Sequence, residues 1–209
     1  MVTLNNHFQY NRKVIQAVIF DCFGVLVTEG WYEFRDTYFA AGPKRQQATD
    51  MQRASDLGSV PYAKFERDLA RLAGVSLEVV HSYLDDNSPN EPLFRYIETE
   101  LKPHYRLGLL SNAPANWLEE LFTPAQCQLF DATALSYEMR VGKPDPRAFQ
   151  TIAARLDVPL GACIFVDDSQ RYCAAATELG MHAVWFKDFA QSRAAIEKIL
   201  ADTKNEPLF

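Results

Sequence analysis

The chain has no cysteine pair at CxxC spacing, no run of lysines and arginines, and no apolar stretch near the roughly 20 residues that cross a bilayer. Each absence removes a class of function. Cys22, Cys127, Cys163 and Cys173 sit mostly in apolar company and read as reduced, core-filling thiols. Cys22 neighbours Asp21, but strand alternation turns it into the packing. A net charge of −6 without a basic cluster argues against nucleic acid as a partner, because phosphate neutralisation needs grouped cations. Met1 to Lys13 is too polar for a signal peptide, so no membrane role and a cytoplasmic location are expected. The four histidines, His7, His81, His104 and His182, show no metal-ligand spacing, and no internal repeat or low-complexity tract interrupts the chain.

At 209 residues and 48% hydrophobic content, the chain can bury a core as one domain or as a domain with an insert. Short apolar runs at 14–20, 106–110, 132–136, 162–166 and 183–186 read as buried strands. Helical patterns at 115–122, 146–156, 170–179 and 189–201 separate the later ones, and the residues from about Asp202 read as a loose polar tail. Strands alternating with helices predict an α/β fold, a doubly wound parallel sheet. Between Gly30 and Ser88 no strand-like run occurs, and 31–41, 45–56, 62–73 and 77–86 read as amphipathic helices. A helical cap subdomain over 30–88 is therefore expected, inserted into a core of 1–29 and 89–209. It is bracketed by the turn-rich segments Thr28-Glu29-Gly30 and Asn87 to Pro92.

Four polar clusters carry the chemistry. Asp21 ends the run Ala17-Val18-Ile19-Phe20, Ser111-Asn112 follow Leu110, Lys143 lies in Gly142-Lys143-Pro144, and Asp167-Asp168 follow Ile164-Phe165-Val166. Open parallel sheets bind ligands beyond the carboxyl ends of their strands, and Asp21, Ser111 and Asp167 occupy such ends. A like-charge pair at about 4 Å costs roughly 4 kcal/mol at an effective dielectric near 20, so converging carboxylates need a cation. Lys143 can cancel one charge, and an oxygen-seeking divalent ion such as Mg²⁺ can cancel more. An ionised Asp is then a nucleophile toward phosphorus, with Ser111 and the N-terminus of a helix starting near Pro114 donating to phosphate oxygens.

These four clusters resemble the motifs of the haloacid dehalogenase-like hydrolases, in the branch with a helical cap inserted after the first motif. The resemblance implies a Rossmann-like core and Asp21 as nucleophile. It also implies Ser111 and Asn112 as phosphate contacts, Lys143 as charge neutraliser, and Mg²⁺ held by Asp21, Asp167, Asp168 and the backbone carbonyl of Phe23. One position departs from the phosphatase pattern: Phe23 stands where those members carry a second Asp that protonates the leaving group. Losing that acid–base help lowers the rate by about 10²–10⁴. Glu29, at the hinge, could stand in as acid.

Three functions are compatible with these residues. The first is a Mg²⁺-dependent phosphatase of a small phosphorylated metabolite, working through an aspartyl-phosphate at Asp21. The second is a phosphate-binding or regulatory module that has lost turnover. The third is a 2-haloacid dehalogenase, since dehalogenases carry an aromatic residue at the Phe23 position, although the Asp167-Asp168 pair would repel their acid substrates. Substrate choice is expected from the cap, where Trp31, Phe34, Arg35 and Tyr38 fall close together on one helix, with Arg35 as the candidate grip on an anionic group.

Overall fold

In a computed structural model, which describes residues 14–205, the run Ala17–Phe20 forms β1 with every residue buried. Four further strands follow, β2 (Arg106–Ser111), β3 (Ala132–Leu135), β4 (Cys163–Asp167) and β5 (His182–Trp185). All pair in parallel, in the order β3-β2-β1-β4-β5. The chain winds outward from β1 in one direction and then, through β4, in the other. That reversal opens a crevice above the carboxyl ends of β1 and β4.

Strand alternation divides the core into two layers. Val18, Phe20, Ile164 and Val166 face one side, together with Leu93, Ile97, Leu101 and Ile196. Ala17, Ile19, Cys163 and Phe165 face the other, against Phe149, Ile152 and Ala176. Both faces of β1 and β4 are covered, which is why these strands read as continuous apolar runs rather than alternating ones.

Between β1 and β2 the chain forms α1 (Trp31–Tyr38), α2 (Pro43–Asp56), α3 (Tyr62–Ala73) and α4 (Leu77–Leu84), then α5 (Glu91–Tyr96), which runs into a wide π-helical turn at Ile97–Leu101. The first four bury a cluster of their own, with Trp31, Phe34, Phe65, Leu69 and Val80 at its centre. The two segments joining this helical insert to the sheet lie side by side. Thr28 N–H donates to the Ser88 carbonyl at 3.0 Å, and Ser88 N–H donates to Thr28 Oγ1 at 2.8 Å. A Cβ on Gly30 would lie 1.9 Å from the Tyr83 carbonyl oxygen, so only glycine admits so close an approach. The insert also touches the far lip of the crevice, where Arg140 donates to the Gly58 carbonyl at 2.6 Å and the Ser136 hydroxyl donates to the Asp56 carbonyl.

After β2 come α6 (Leu118–Leu121), α7 (Pro124–Cys127), α8 (Ser136–Met139), α9 (Pro146–Arg155), α10 (Gln170–Glu178) and α11 (Phe189–Asn205). Three sequence expectations are corrected. The helix expected over 115–122 shrinks to one turn at 118–121, because Thr123 and Gln126 form a capping box that starts a separate turn. No helix begins at Pro114, so the anticipated helix N-terminus after Asn112 is absent. The helix expected to end at 201 continues to Asn205, so the tail from Asp202 is helical as far as it is described. The expectation for Met1 to Lys13 lies outside the described residues.

Candidate active site

Register does the assembly. Phe20 pairs with Val166, and Asp21 N–H donates to the Val166 carbonyl at 2.9 Å, so Asp21 stands abreast of Asp167 at the open end of adjacent strands. Lys143 reaches between them from the loop before α9. Its Nζ lies 2.7 Å from Asp21 Oδ1 and 2.6 Å from Asp167 Oδ2, and all three side chains are almost fully buried. Burial alone would lower the ammonium's pKa. The two carboxylates outweigh burial and push it above the usual lysine range, so Lys143 stays charged.

Backbone donors fix the carboxylates further. Cys22 N–H donates to Asp21 Oδ1 at 2.7 Å, and Ser169 N–H donates to Asp167 Oδ1 at 2.8 Å. The other oxygen of Asp21, Oδ2, receives no hydrogen bond among the described residues. Asp168 completes the floor: ligand oxygens of Asp21, Asp167 and Asp168 all lie within 4.8 Å of one another. Burial, followed by the charge of Asp21, pushes the Asp168 carboxyl up to about 7. Gly24, with a φ of 79°, passes so near that a Cβ there would sit 2.4 Å from Asp168 Oδ2. Three oxygen donors, a backbone that makes way for one of them and a surplus of negative charge suit a hard divalent cation.

Ser111, the last residue of β2, is buried, and its Oγ has no hydrogen-bond partner among the described residues. A buried hydroxyl without a partner is costly unless something else supplies one. The side chain of Asn112 clasps the Lys143 backbone instead: Nδ2 donates to its carbonyl at 3.0 Å and Oδ1 accepts from its N–H at 2.8 Å. A Cβ on Gly142 would collide with that amide at 2.5 Å. Asn112 therefore positions the lysine while still lining the cleft above it.

That cleft encloses about 480 Å³, open solvent included, between the sheet and the helical insert. Five rings line it, those of Phe23, Trp117, Tyr62, Phe65 and Trp31. Successive centroids lie 5.8, 4.7, 5.7 and 6.0 Å apart, a continuous belt from the floor to α1. Glu29 and Asp56 also line it, and burial pushes both carboxyls well above the usual carboxylate range. Sequence reasoning missed Asp56, the last residue of an amphipathic helix, where an acid ordinarily faces water. Glu29, the hinge residue expected as a candidate stand-in acid, does line the cleft, half-buried.

Arg35 does not join the cleft. Its guanidinium pairs with Asp36 at 2.9 Å and stacks over Tyr32 at 5.0 Å, outside the lining residues. The thiols are equally remote from chemistry: the four cysteines are free, and burial raises Cys22 well above its ordinary value and Cys163 and Cys173 up to about 12.

The sequence pattern of the haloacid dehalogenase-like hydrolases matches residues 15–180, a span that contains Asp21, Ser111, Lys143 and the Asp167-Asp168 pair. The chain belongs to this family. Among curated hydrolase relatives, Phosphatase MT3486 of Mycobacterium tuberculosis is 34% identical over 73 residues, 35% of this chain and about a third of the relative's own length. A HAD-like family hydrolase of Porphyromonas gingivalis superposes with a TM-score of 0.67 at 24% identity, covering 90% of this chain and 98% of the other. A HAD family enzyme of Bacteroides thetaiotaomicron, crystallised with magnesium and inorganic phosphate, gives 0.60 at 23% identity over 83% and 94%. A 2-haloacid dehalogenase of Pseudomonas syringae gives 0.58 at 18% identity over 90% and 99%, so the haloacid dehalogenase-like fold is common to hydrolases of different chemistry. No helix among the described residues is long and apolar enough to cross a membrane.

Proposed function

We propose that this hydrolase is a Mg²⁺-dependent phosphatase of small phosphorylated metabolites, with Asp21 as the nucleophile and the helical segment over 30–88 acting as its cap. The observation that carries this reading is the asymmetry of the Asp21 carboxylate. Oδ1 is held by the Cys22 N–H and by Lys143, and Oδ2 is left without a protein partner in a carboxyl group that converges with those of Asp167 and Asp168, while the buried Ser111 hydroxyl at the end of β2 is also unpartnered. Oδ2 attacks phosphorus in line with the ester oxygen, the P–O bond to the alcohol breaks, and an aspartyl-phosphate forms. Water then cleaves that acyl phosphate and restores the carboxylate.

Lys143 and the Ser111 hydroxyl stabilise charge on the transferring group, and their burial strengthens both contacts. Asp21, Asp167, Asp168 and the Phe23 carbonyl would hold Mg²⁺, which supplies positive charge opposite the phosphate oxygens. Phe23 has no proton to give, so the alcohol departs with little help, and rates are expected to fall steeply as leaving-group pKa rises. Aryl and acyl phosphates should outrun alkyl esters. A flat dependence of kcat on leaving-group pKa would refute this.

The decisive test is hydrolysis of p-nitrophenyl phosphate by the wild type and by Asp21→Asn, with and without Mg²⁺. Turnover that needs both Asp21 and the metal is the expected result, and turnover indifferent to both removes the proposal. The same Phe23 favours a second reading, a module that binds phosphate esters and returns them unchanged. Calorimetric binding without product over many hours would select it. Dehalogenation is disfavoured by Asp168, whose carboxylate stands beside Asp21 where a haloacid's own carboxylate and the departing halide would be repelled.

A further inference from the structure

Asp21, Asp167, Asp168 and Lys143 provide for the phosphate, and the cleft that adjoins them through Phe23 and Asn112 meets whatever the phosphate is attached to. We infer that the cleft selects phosphomonoesters whose alcohol carries a positively charged amine, an ammonium or quaternary ammonium group held between the ring belt and the carboxylates of Glu29 and Asp56. This deepens the phosphatase reading and rests on it for the word substrate, though not for the binding.

Two independent features point to a cation. The first is the unpaired acids. No hydrogen bond or ion pair reaches the side-chain carboxylate of Glu29 or Asp56 among the described residues, both are half-buried in the cleft lining, and no lysine or arginine lines the cleft with them. By contrast, the buried carboxylates of Asp21 and Asp167 are both paired with Lys143. Five carboxyl groups, those of Asp21, Asp167, Asp168, Glu29 and Asp56, share the region with one lysine, a surplus of four acidic groups over basic ones that a cation would hold ionised. A divalent ion and a dianionic phosphate cancel one another and leave that surplus intact. A cationic alcohol reduces it, whereas an alcohol carrying a second phosphate or a carboxylate enlarges it.

The second feature is the rings. Aromatic faces attract cations through their quadrupoles, most strongly where water is excluded, and they take up the methyl or methylene groups around an amine nitrogen. Phe23, Trp117 and Tyr62 pack edge to face at interplanar angles of 88° and 80°, a wall that begins at Phe23, whose carbonyl is a proposed metal ligand. Gln52 and Asn87, also in the lining, offer amide oxygens to N–H donors. An ammonium group close to the ester also withdraws electrons from the departing oxygen, which suits a site with no proton donor at position 23.

Three esters of similar size separate the possibilities: choline phosphate, its neutral isostere 3,3-dimethylbutyl phosphate, and the anionic phosphoglycolate. Binding is read by calorimetry on Asp21→Asn with Mg²⁺, which removes leaving-group effects from the comparison. Choline phosphate is expected to bind about tenfold tighter than the isostere and about a hundredfold tighter than phosphoglycolate. In the wild type, kcat/KM should follow the same order. The double variant Glu29→Gln, Asp56→Asn should compress the preference for choline phosphate over the isostere to about threefold or less, a ratio taken on one protein and so independent of how much of it folds. Equal or weaker binding of the cationic ester, or a preference untouched in the double variant, overturns the inference. If p-nitrophenyl phosphate is hydrolysed and the charge series is flat, only this inference falls. If no ester is turned over, the wild type itself is titrated: tighter binding of choline phosphate then keeps the inference while the phosphatase reading falls, and equal binding removes both.

Discussion

The floor of the cleft and its wall are built on opposite plans. On the floor, the chain supplies a cation of its own: Lys143 bonds both Asp21 and Asp167, and backbone N–H groups take up further lone pairs. On the wall, Glu29 and Asp56 have no such partners and share the surface with aromatic rings. A lysine held between two carboxylates is in place before any ligand arrives, which is what a reaction site needs. An unpaired set of acids is complete only when a ligand supplies the missing charge, which suits selection. The residues proposed for the reaction lie in the core, and the proposed selecting wall is shared between the core, through Phe23, Glu29 and Trp117, and the helical insert, through Trp31, Asp56, Tyr62 and Phe65.

Breaking the floor should have the largest effect. Lys143→Met leaves two buried carboxylates facing each other, and removing one partner of a buried ion pair costs about 3–5 kcal/mol. Urea unfolding without metal should show that loss, with Mg²⁺ restoring part of it. Unchanged stability would mean the floor is not held together by its charges. The next effect lies where floor meets wall. Phe23→Asp supplies a proton donor, and hydrolysis of alkyl phosphates should rise by about 10²-fold while acyl phosphates change little. An equal rise for both classes would point to altered binding instead.

Gly24→Ala tests how tightly the backbone fits the floor. With a φ of 79° and a Cβ only 2.4 Å from Asp168 Oδ2, alanine should cost about 1–3 kcal/mol and weaken Mg²⁺ binding. A stable variant with full metal affinity would show that Asp168 can move aside freely. The smallest effect is in pH. Asp168 is held up to about 7 by burial and by Asp21, so the metal-free folded state keeps a proton that the unfolded chain releases nearer pH 4. Stability without metal should therefore fall as pH rises from about 4 to 7 and level off above. Mg²⁺ affinity should run the opposite way, weakening about tenfold per unit below pH 7, because the ion needs the ionised carboxylate. Calorimetric affinities that stay constant between about pH 5.5 and 8 would remove Asp168 from the ligand set.

The floor was legible in the sequence because each of its residues ends an apolar run or lies in a short punctuated loop. Asp21 and Asp167 follow strand-forming residues, and parallel register can bring such ends together in few ways. The wall was not legible. Asp56 ends an amphipathic helix and looks like any solvated acid until α2 is laid against the core, with Ser136 binding its carbonyl. Arg35 misled for the same reason. It stands four residues after Trp31 on one helical face, yet a nearer partner, Asp36, and the ring of Tyr32 hold its guanidinium away from the cleft. The shortened helix at 118–121 shows a third limit, since local capping at Thr123 cut off a periodicity that continued in sequence.

The order of residues alone determined the parallel sheet, the helical insert and which side chains stand at strand ends, because hydrophobic periodicity and chain connectivity are local properties that sequence records directly. Only tertiary structure decided that Asn112 clasps Lys143, that Ser111 keeps an unpartnered hydroxyl, and that Glu29 and Asp56 face the cleft unpaired. Those outcomes depend on how one helical layer settles on another, and packing of that kind is set by the sum of many distant contacts.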